Sequence, residues 1–291
     1  MSVRRSAAVL VLALAVRCGA APAVAVGLPP QAGILRALAP DATPLVLVDR
    51  GQNPHSFDPS PRQLAGLSRA ALYVCSGLPF EKALRSRLRA LNPTMRFVEA
   101  PADDDPADDD HDHGDEGHDP HFWTHPDGLL AEARAIAAAL AEADPDAAPA
   151  LEGSAEAYAR RIRETDARIR ERLAPLRGRA FLVYHPAWSH FAEAYGLRQL
   201  AVERHGAAPS ARQLAALVDT VRAEGIRAIL VQSESEAARA APLARTLSLE
   251  VLRVNALAPD PLAQLDAAAA AVEAALRPRP ATAPSTTLLP P

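Results

Sequence analysis

Short apolar runs alternate along this chain with longer segments whose apolar residues recur at helical spacing. Ala23 to Val26 is continuously apolar and predicts a buried strand, followed by a helix near Gln31 to Leu38. Leu45 to Asp49 predicts a second strand. Ser60-Pro61-Arg62 opens a helix, with proline at a position that needs no backbone donor. Ala71 to Cys75 predicts a third strand, Phe80 to Leu91 a helix, and Phe97 to Ala100 a fourth strand. Strands alternating with helices at this spacing form βα units around a mainly parallel sheet.

Pro101 to Asp119 breaks the pattern. It has almost no apolar side chains and reads as an acidic loop outside any core. Asp127 to Ala143 is alanine-rich and helical. Pro145 and Pro149 interrupt it. Leu151 to Leu173 then predicts a long charged helix, with apolar positions at Ala155, Tyr158, Ile162, Ala167, Ile169 and Leu173. So polar a helix between two βα regions suits a solvent-exposed connector. The second region repeats the plan. Strands are expected at Ala180 to Tyr184, Ala228 to Val231 and Val251 to Val254. Helices are expected at Ser189 to Tyr195, Ala211 to Glu224, Ala237 to Leu247 and Pro261 to Leu276. From Pro278 the chain is mostly Pro, Thr, Ser and Ala, an unpacked tail.

The expected division is therefore 1–21 as an export signal, 22–145 as an N-terminal βα domain carrying the acidic histidine-rich loop 103–119, 146–175 as a connecting helix, 176–277 as a C-terminal βα domain, and 278–291 as the tail. The fold class is α/β, two βα domains with mainly parallel sheets.

Composition changes the picture in two ways. The 49% hydrophobic content supports real cores. The net charge of -4 comes from one segment, since 103–119 holds nine Asp and one Glu and no Lys or Arg, and without it the chain would be near +6. No nucleic-acid surface is indicated. At the N-terminus Arg4 and Arg5 precede the apolar stretch Ala7 to Val16, and small residues follow at Gly19, Ala20 and Ala21. This is the outline of an export signal, too short for an ordinary membrane span. Cys18 raises a lipid anchor, but Arg17 stands where a small residue is normal, so cleavage near Ala20 or Ala21 is expected. That leaves Cys75 alone, which excludes an intramolecular disulfide and a cysteine-rich zinc site. Cys75 lies in an apolar run and reads as a buried, inert thiol.

Candidate chemistry rests on three histidines in separate frames: His55 in Asn53-Pro54-His55-Ser56-Phe57, His121 in Asp119-Pro120-His121-Phe122-Trp123, and His185 in Tyr184-His185-Pro186-Ala187-Trp188. His55 and His185 each follow a predicted strand, the end at which open α/β sheets bind ligands. His121 lies where a loop enters a helix. Singly, each would more often be a surface or hydrogen-bonded residue. Three together, beside an acidic loop, form a set of nitrogen donors suited to zinc with one coordination position left. His125 is followed by Pro126, which disfavours helical backbone at 125. His190 falls off the face of His185. Both read as structural or exposed. His205 lies in a loop that can approach the cleft. His111, His113 and His118 offer weaker, transient donors.

These frames resemble the zinc-binding receptors of high-affinity ABC metal importers, a cluster that also contains manganese receptors. The resemblance is carried by Gly51 to Pro61 around His55, Gly77-Leu78-Pro79-Phe80-Glu81, Asp119 to Trp123 behind the acidic loop, His185-Pro186-Ala187-Trp188 with Tyr195-Gly196-Leu197, and Gly206 with Pro209-Ser210-Ala211. It covers nearly the whole mature chain. It implies two βα domains joined by a long helix, with Zn2+ carried as transported ligand in the interdomain cleft. The partners implied are the membrane permease of an ABC importer, the zinc ion itself and a zinc metallochaperone, with a monomer expected. His185 stands where manganese members carry Glu, and nitrogen there favours zinc. The family's usual fourth ligand, an Asp, is replaced here by Asn255. The fourth position is then open to water, Asn255, Glu203 or His205.

A three-histidine site with water is also what a catalytic zinc would show. The expected function is nonetheless an extracytoplasmic, periplasmic zinc receptor and not an enzyme. The alternatives are a manganese or iron receptor of the same cluster, or a zinc-dependent hydrolase, for which Glu203 is the candidate base.

Overall fold

A computed structural model describes residues 22–49, 52–101, 119–203 and 209–277. The first sheet is built from β1 (Val24–Val26), β2 (Leu45–Val46), β3 (Leu72–Val74) and β4 (Arg96–Val98), in the order β2-β1-β3-β4. Every pairing is parallel, with Ala25 opposite both Leu45 and Tyr73. The second sheet contains β5 (Ala180–Val183), β6 (Arg198–Ala201), β7 (Ala228–Val231) and β8 (Glu250–Arg253), ordered β6-β5-β7-β8 and again parallel. The two sheets thus share one plan. Their central strands β1, β3, β5 and β7 are buried along their whole length. Burial on both faces is why these segments are unbroken apolar runs.

Helices α1 (Pro29–Leu38), α2 (Pro61–Leu67), α3 (Pro79–Leu91) and α4 (Pro126–Ala143) accompany the first sheet, and α6 (Ser189–Ala194), α7 (Ala211–Ala223), α8 (Glu234–Leu247) and α9 (Pro261–Leu276) the second. Between them runs α5 (Ala148–Leu173), flanked by 3-10 turns at Pro145–Ala147 and Ala174–Leu176. Pro149 falls in the first turn of α5, where a missing N–H costs nothing. No described helix is long and apolar enough to cross a membrane.

Two elements differ from the sequence reading. The edge strand β6 was not anticipated. Its residues Arg198, Gln199, Leu200 and Ala201 are exposed or half-buried, so it lacks the apolar run that marks a central strand. Gly196, at φ 65°, supplies the left-handed turn between α6 and β6. The connecting helix is also less exposed than its polarity suggests. Leu151, Tyr158, Ala159, Ile162, Thr165, Ile169 and Leu173 form a buried stripe along α5, which packs against α4, α9 and α1. Charged side chains occupy the other face. The exposed pairs Arg168–Asp266 and Arg172–Glu273 reach across to α9. Such pairs contribute little individually; the apolar stripe holds the helix in place.

The lobes meet closely at the end of β8. The Trp123 indole donates to the Ala256 carbonyl at 2.7 Å, across the junction. On α1, Gly33 faces the Pro259 carbonyl, and a Cβ there would lie 1.8 Å from that oxygen. In an exposed helix, Gly→Ala stabilises by about 1 kcal/mol. Here the clash is with backbone, so Gly33→Ala is expected to destabilise by about 1–3 kcal/mol, the range typical of overpacking. A denaturant melt of the variant against the parent checks the sign.

Cys75 is buried at the end of β3, and burial pushes its thiol up to about 12, with Glu81 adding to the effect. That is the inert thiol its sequence context predicts.

Candidate metal site

His55, His121 and His185 lie on three different loops, and the fold brings them together. Past β2 the chain turns at Asn53, whose side chain accepts the His55 N–H at 2.9 Å, and Pro54 starts the 3-10 turn Pro54–Ser56. His185 is two residues past β5, at that strand's carboxyl end, and its carbonyl accepts the Ala187 N–H at 2.9 Å. His121 caps the 3-10 turn Phe122–Thr124 that leads into α4. Its carbonyl accepts both the Thr124 N–H and the Thr124 hydroxyl.

Ring centroids are 5.4 Å apart for His55 and His121, 5.1 Å for His55 and His185, and 5.5 Å for His121 and His185. One nitrogen from each ring fits a set whose members all lie within 4.8 Å of one another. Two metal–nitrogen bonds of about 2.0–2.1 Å, spread tetrahedrally, put donors roughly 3.4 Å apart. Small side-chain rotations close that gap. His55 Nε2 is buried and has no hydrogen-bond partner among the described residues. A buried, unpaired imidazole nitrogen is costly unless something occupies it. The donor set therefore fits a borderline-soft divalent ion such as zinc.

Electrostatics favour the neutral form of two of the imidazoles. Burial, then the neighbouring His121 and His185, lowers His55 to about 4. Burial, and next His121, lowers His185 as well, against the pull of Glu203. Neutral imidazole is the form that binds metal.

Carboxylates stand behind two of the rings. Asp119 Oδ1 is 2.5 Å from His121 Nδ1 and accepts the His121 N–H at 3.0 Å. Burial opposes its charge, but the bonds to His121 and Ser189 outweigh it and hold the carboxyl well below its usual range. Glu203 Oε2 is 3.3 Å from His185 Nδ1, and its Oε1 accepts from Arg239 at 2.9 Å. Arg239 also lies over the Tyr184 ring, 4.9 Å from its centroid. Glu203 thus backs His185 and is not among the donors that cluster.

Asn255 is exposed, and its Oδ1 accepts the Leu257 N–H at 2.8 Å, capping the turn after β8. His205, His111, His113 and His118 lie outside the described residues. His125 has the extended backbone that Pro126 demands, φ -106° and ψ 137°, and its Nδ1 accepts the Asp127 N–H at 3.0 Å as the N-cap of α4. His190 Nε2 donates to the Asp119 carbonyl at 2.9 Å. Both are structural. Sequence reasoning gave no role to Asp119, counting it with the acidic segment. Its position two residues before His121, where an Asx turn can form, was the available signal.

Two parallel α/β lobes, a long helix between them and a cluster of imidazoles at their junction define a solute-binding protein for a metal ion. The chain belongs to the family described as zinc-uptake complex component A, periplasmic (ZnuA), whose model matches residues 24–271. The zinc-binding lipoprotein AdcA of Streptococcus pneumoniae R6 is 29% identical over 219 residues, covering 70% of this chain and 43% of that protein. The chain thus spans less than half of that relative. The high-affinity zinc uptake system protein ZnuA of Paracoccus denitrificans is 28% identical over 217 residues, covering 62% of this chain and 67% of the relative. A zinc-bound crystal structure of a ZnuA deletion mutant superposes with a TM-score of 0.80 at 31% identity, covering 89% of this chain and all of that one.

Proposed function

We propose that this protein is an extracytoplasmic receptor that binds one Zn2+ through His55, His121 and His185 and delivers it to an ABC-type membrane importer. The convergence of three imidazoles from three loops carries this reading. The zinc-binding and zinc-uptake relatives support it. Export follows from the signal-like N-terminus, with cleavage near Ala20 or Ala21 and release into the periplasm. A receptor for manganese or iron fits less well, because the donors that cluster among the described residues are imidazole nitrogens. A hydrolase would need a free base beside metal-bound water, and Glu203 is engaged by His185 and Arg239. Calorimetric competition between zinc and manganese tests the assignment. Zinc should bind one to one and displace manganese; preference for manganese would refute it.

For the fourth coordination position we propose Asn255. Replacing its amide by carboxylate adds charge attraction for the ion. Asn255→Asp should therefore tighten zinc binding, while Asn255→Ala should cost less than loss of any of the three histidines. Chelator competition on both variants decides; an Asp variant that binds no tighter than the parent refutes the role.

A further inference from the structure

We propose that Asp119 is a positioning residue that aims the His121 imidazole at the metal site and fastens it to the opposite lobe. The inference rests on the zinc-receptor reading above and adds a role to a residue outside the donor cluster.

Each oxygen of Asp119 has a distinct task. Oδ1 accepts the His121 N–H at 3.0 Å and meets Nδ1 at 2.5 Å. A proton on Nδ1 then points at Asp119, and the Nε2 lone pair is left for the ion. Oδ2 accepts the Ser189 hydroxyl, and the Asp119 carbonyl accepts from His190 Nε2 at 2.9 Å. Ser189 and His190 open α6, beside the second sheet. Asp119 itself is reached from the first lobe and leads into α4. One residue therefore holds a first-lobe imidazole and two second-lobe side chains.

The other backing carboxylate does not do this. Glu203 follows β6 and binds His185 and Arg239, all in the second lobe. Glu203 can orient its ring but cannot join the lobes. Between them, Asp119 and Glu203 place a carboxylate behind two of the three donors, His121 and His185.

Asp119→Asn separates positioning from simple loop support. In the Asn side chain the amide oxygen can still accept the His121 N–H, and the NH2 at the Oδ2 position can donate to the Ser189 oxygen, so the turn is kept while the charge is lost. Losing such an outer partner lowers metal affinity by roughly 10–100-fold. The expected result is a zinc affinity down by roughly tenfold or more, a metal-free melting temperature like the parent's, and a changed visible absorption spectrum of the Co2+-loaded protein. Asp119→Ala should fall at least as far. If Asp119→Asn matches the parent in affinity and cobalt spectrum while Asp119→Ala does not, Asp119 only supports the loop and the proposal fails. The double variant Ser189→Ala, His190→Ala isolates the tether. It should weaken zinc severalfold yet keep the parental cobalt spectrum, since His121 and Asp119 still pair. Parental affinity in that variant overturns the tether. His121→Ala is the control for the site itself. If it binds zinc like the parent, the three-histidine reading has failed; if it loses zinc while Asp119→Asn does not, only the present inference has.

Discussion

Alanine at any one of His55, His121 or His185 is expected to lower zinc affinity by orders of magnitude. Each imidazole supplies one of three nitrogen donors, and two donors cannot define a tetrahedral site. The variants should differ in what else they disturb. His55 Nε2 has no partner among the described residues, so its ring holds none of them together on that side. Burial and two neighbouring imidazoles make protonation of His55 unfavourable. His55→Ala should therefore abolish tight binding while leaving the metal-free fold intact. His121→Ala should cost stability too, because it strands Asp119 without its ring partner. Chelator competition and metal-free melts on the three variants check both statements. If two of the three titrate like the parent, zinc binds elsewhere.

Zinc is expected to raise the melting temperature strongly, and the gain should disappear in acid. An ion that binds only the folded cleft stabilises by about 4 kcal/mol at a thousandfold excess over Kd. For a chain of this size that is roughly 8–16 °C. The pH window follows from the imidazoles. His55 is lowered from 6.5 to about 4 in the fold, and His185 is lowered in the same direction. Between those values the unfolded chain binds more protons than the folded one. The metal-free fold therefore has its full His55 contribution above pH 6.5 and loses it as pH falls toward 4. Metal binding follows the folded values, because protons compete only where the folded imidazole titrates. The sequence alone places that competition in the ordinary histidine range. The buried cluster moves it toward acid, so zinc should stay bound to lower pH than three exposed histidines would allow. Melts with and without zinc from pH 8 to about 4 test this. A zinc-induced shift that collapses already near pH 7 would mean that the imidazoles are not buried together.

Much of this protein is legible along the chain because its signals are local. A strand buried on both faces must be apolar throughout, and β1, β3, β5 and β7 are. Proline fixes helix starts, and Pro61, Pro79, Pro126 and Pro261 stand in the first turns of their helices. The three histidines stand out because strand ends and short frames mark them before any contact is known. Edge strand β6 left no such mark, since half its surface faces solvent. On α5 the apolar positions Tyr158, Ile162, Ile169 and Leu173 could be read, but the charges between them suggested an exposed connector and not a helix packed along one face.

What only the tertiary structure decided is which residues serve the cluster from behind. Asp119 looked like the last of a run of acids, and Glu203 like a fourth donor. Folding places Asp119 against His121, Ser189 and His190, and Glu203 against His185 and Arg239. Donor identity and strand ends follow from the sequence because residue type and local backbone fix them. The orientation of a ring and the partner of a carboxylate depend on side chains up to 70 residues apart. Only the packing of the two lobes brings those groups within hydrogen-bonding distance.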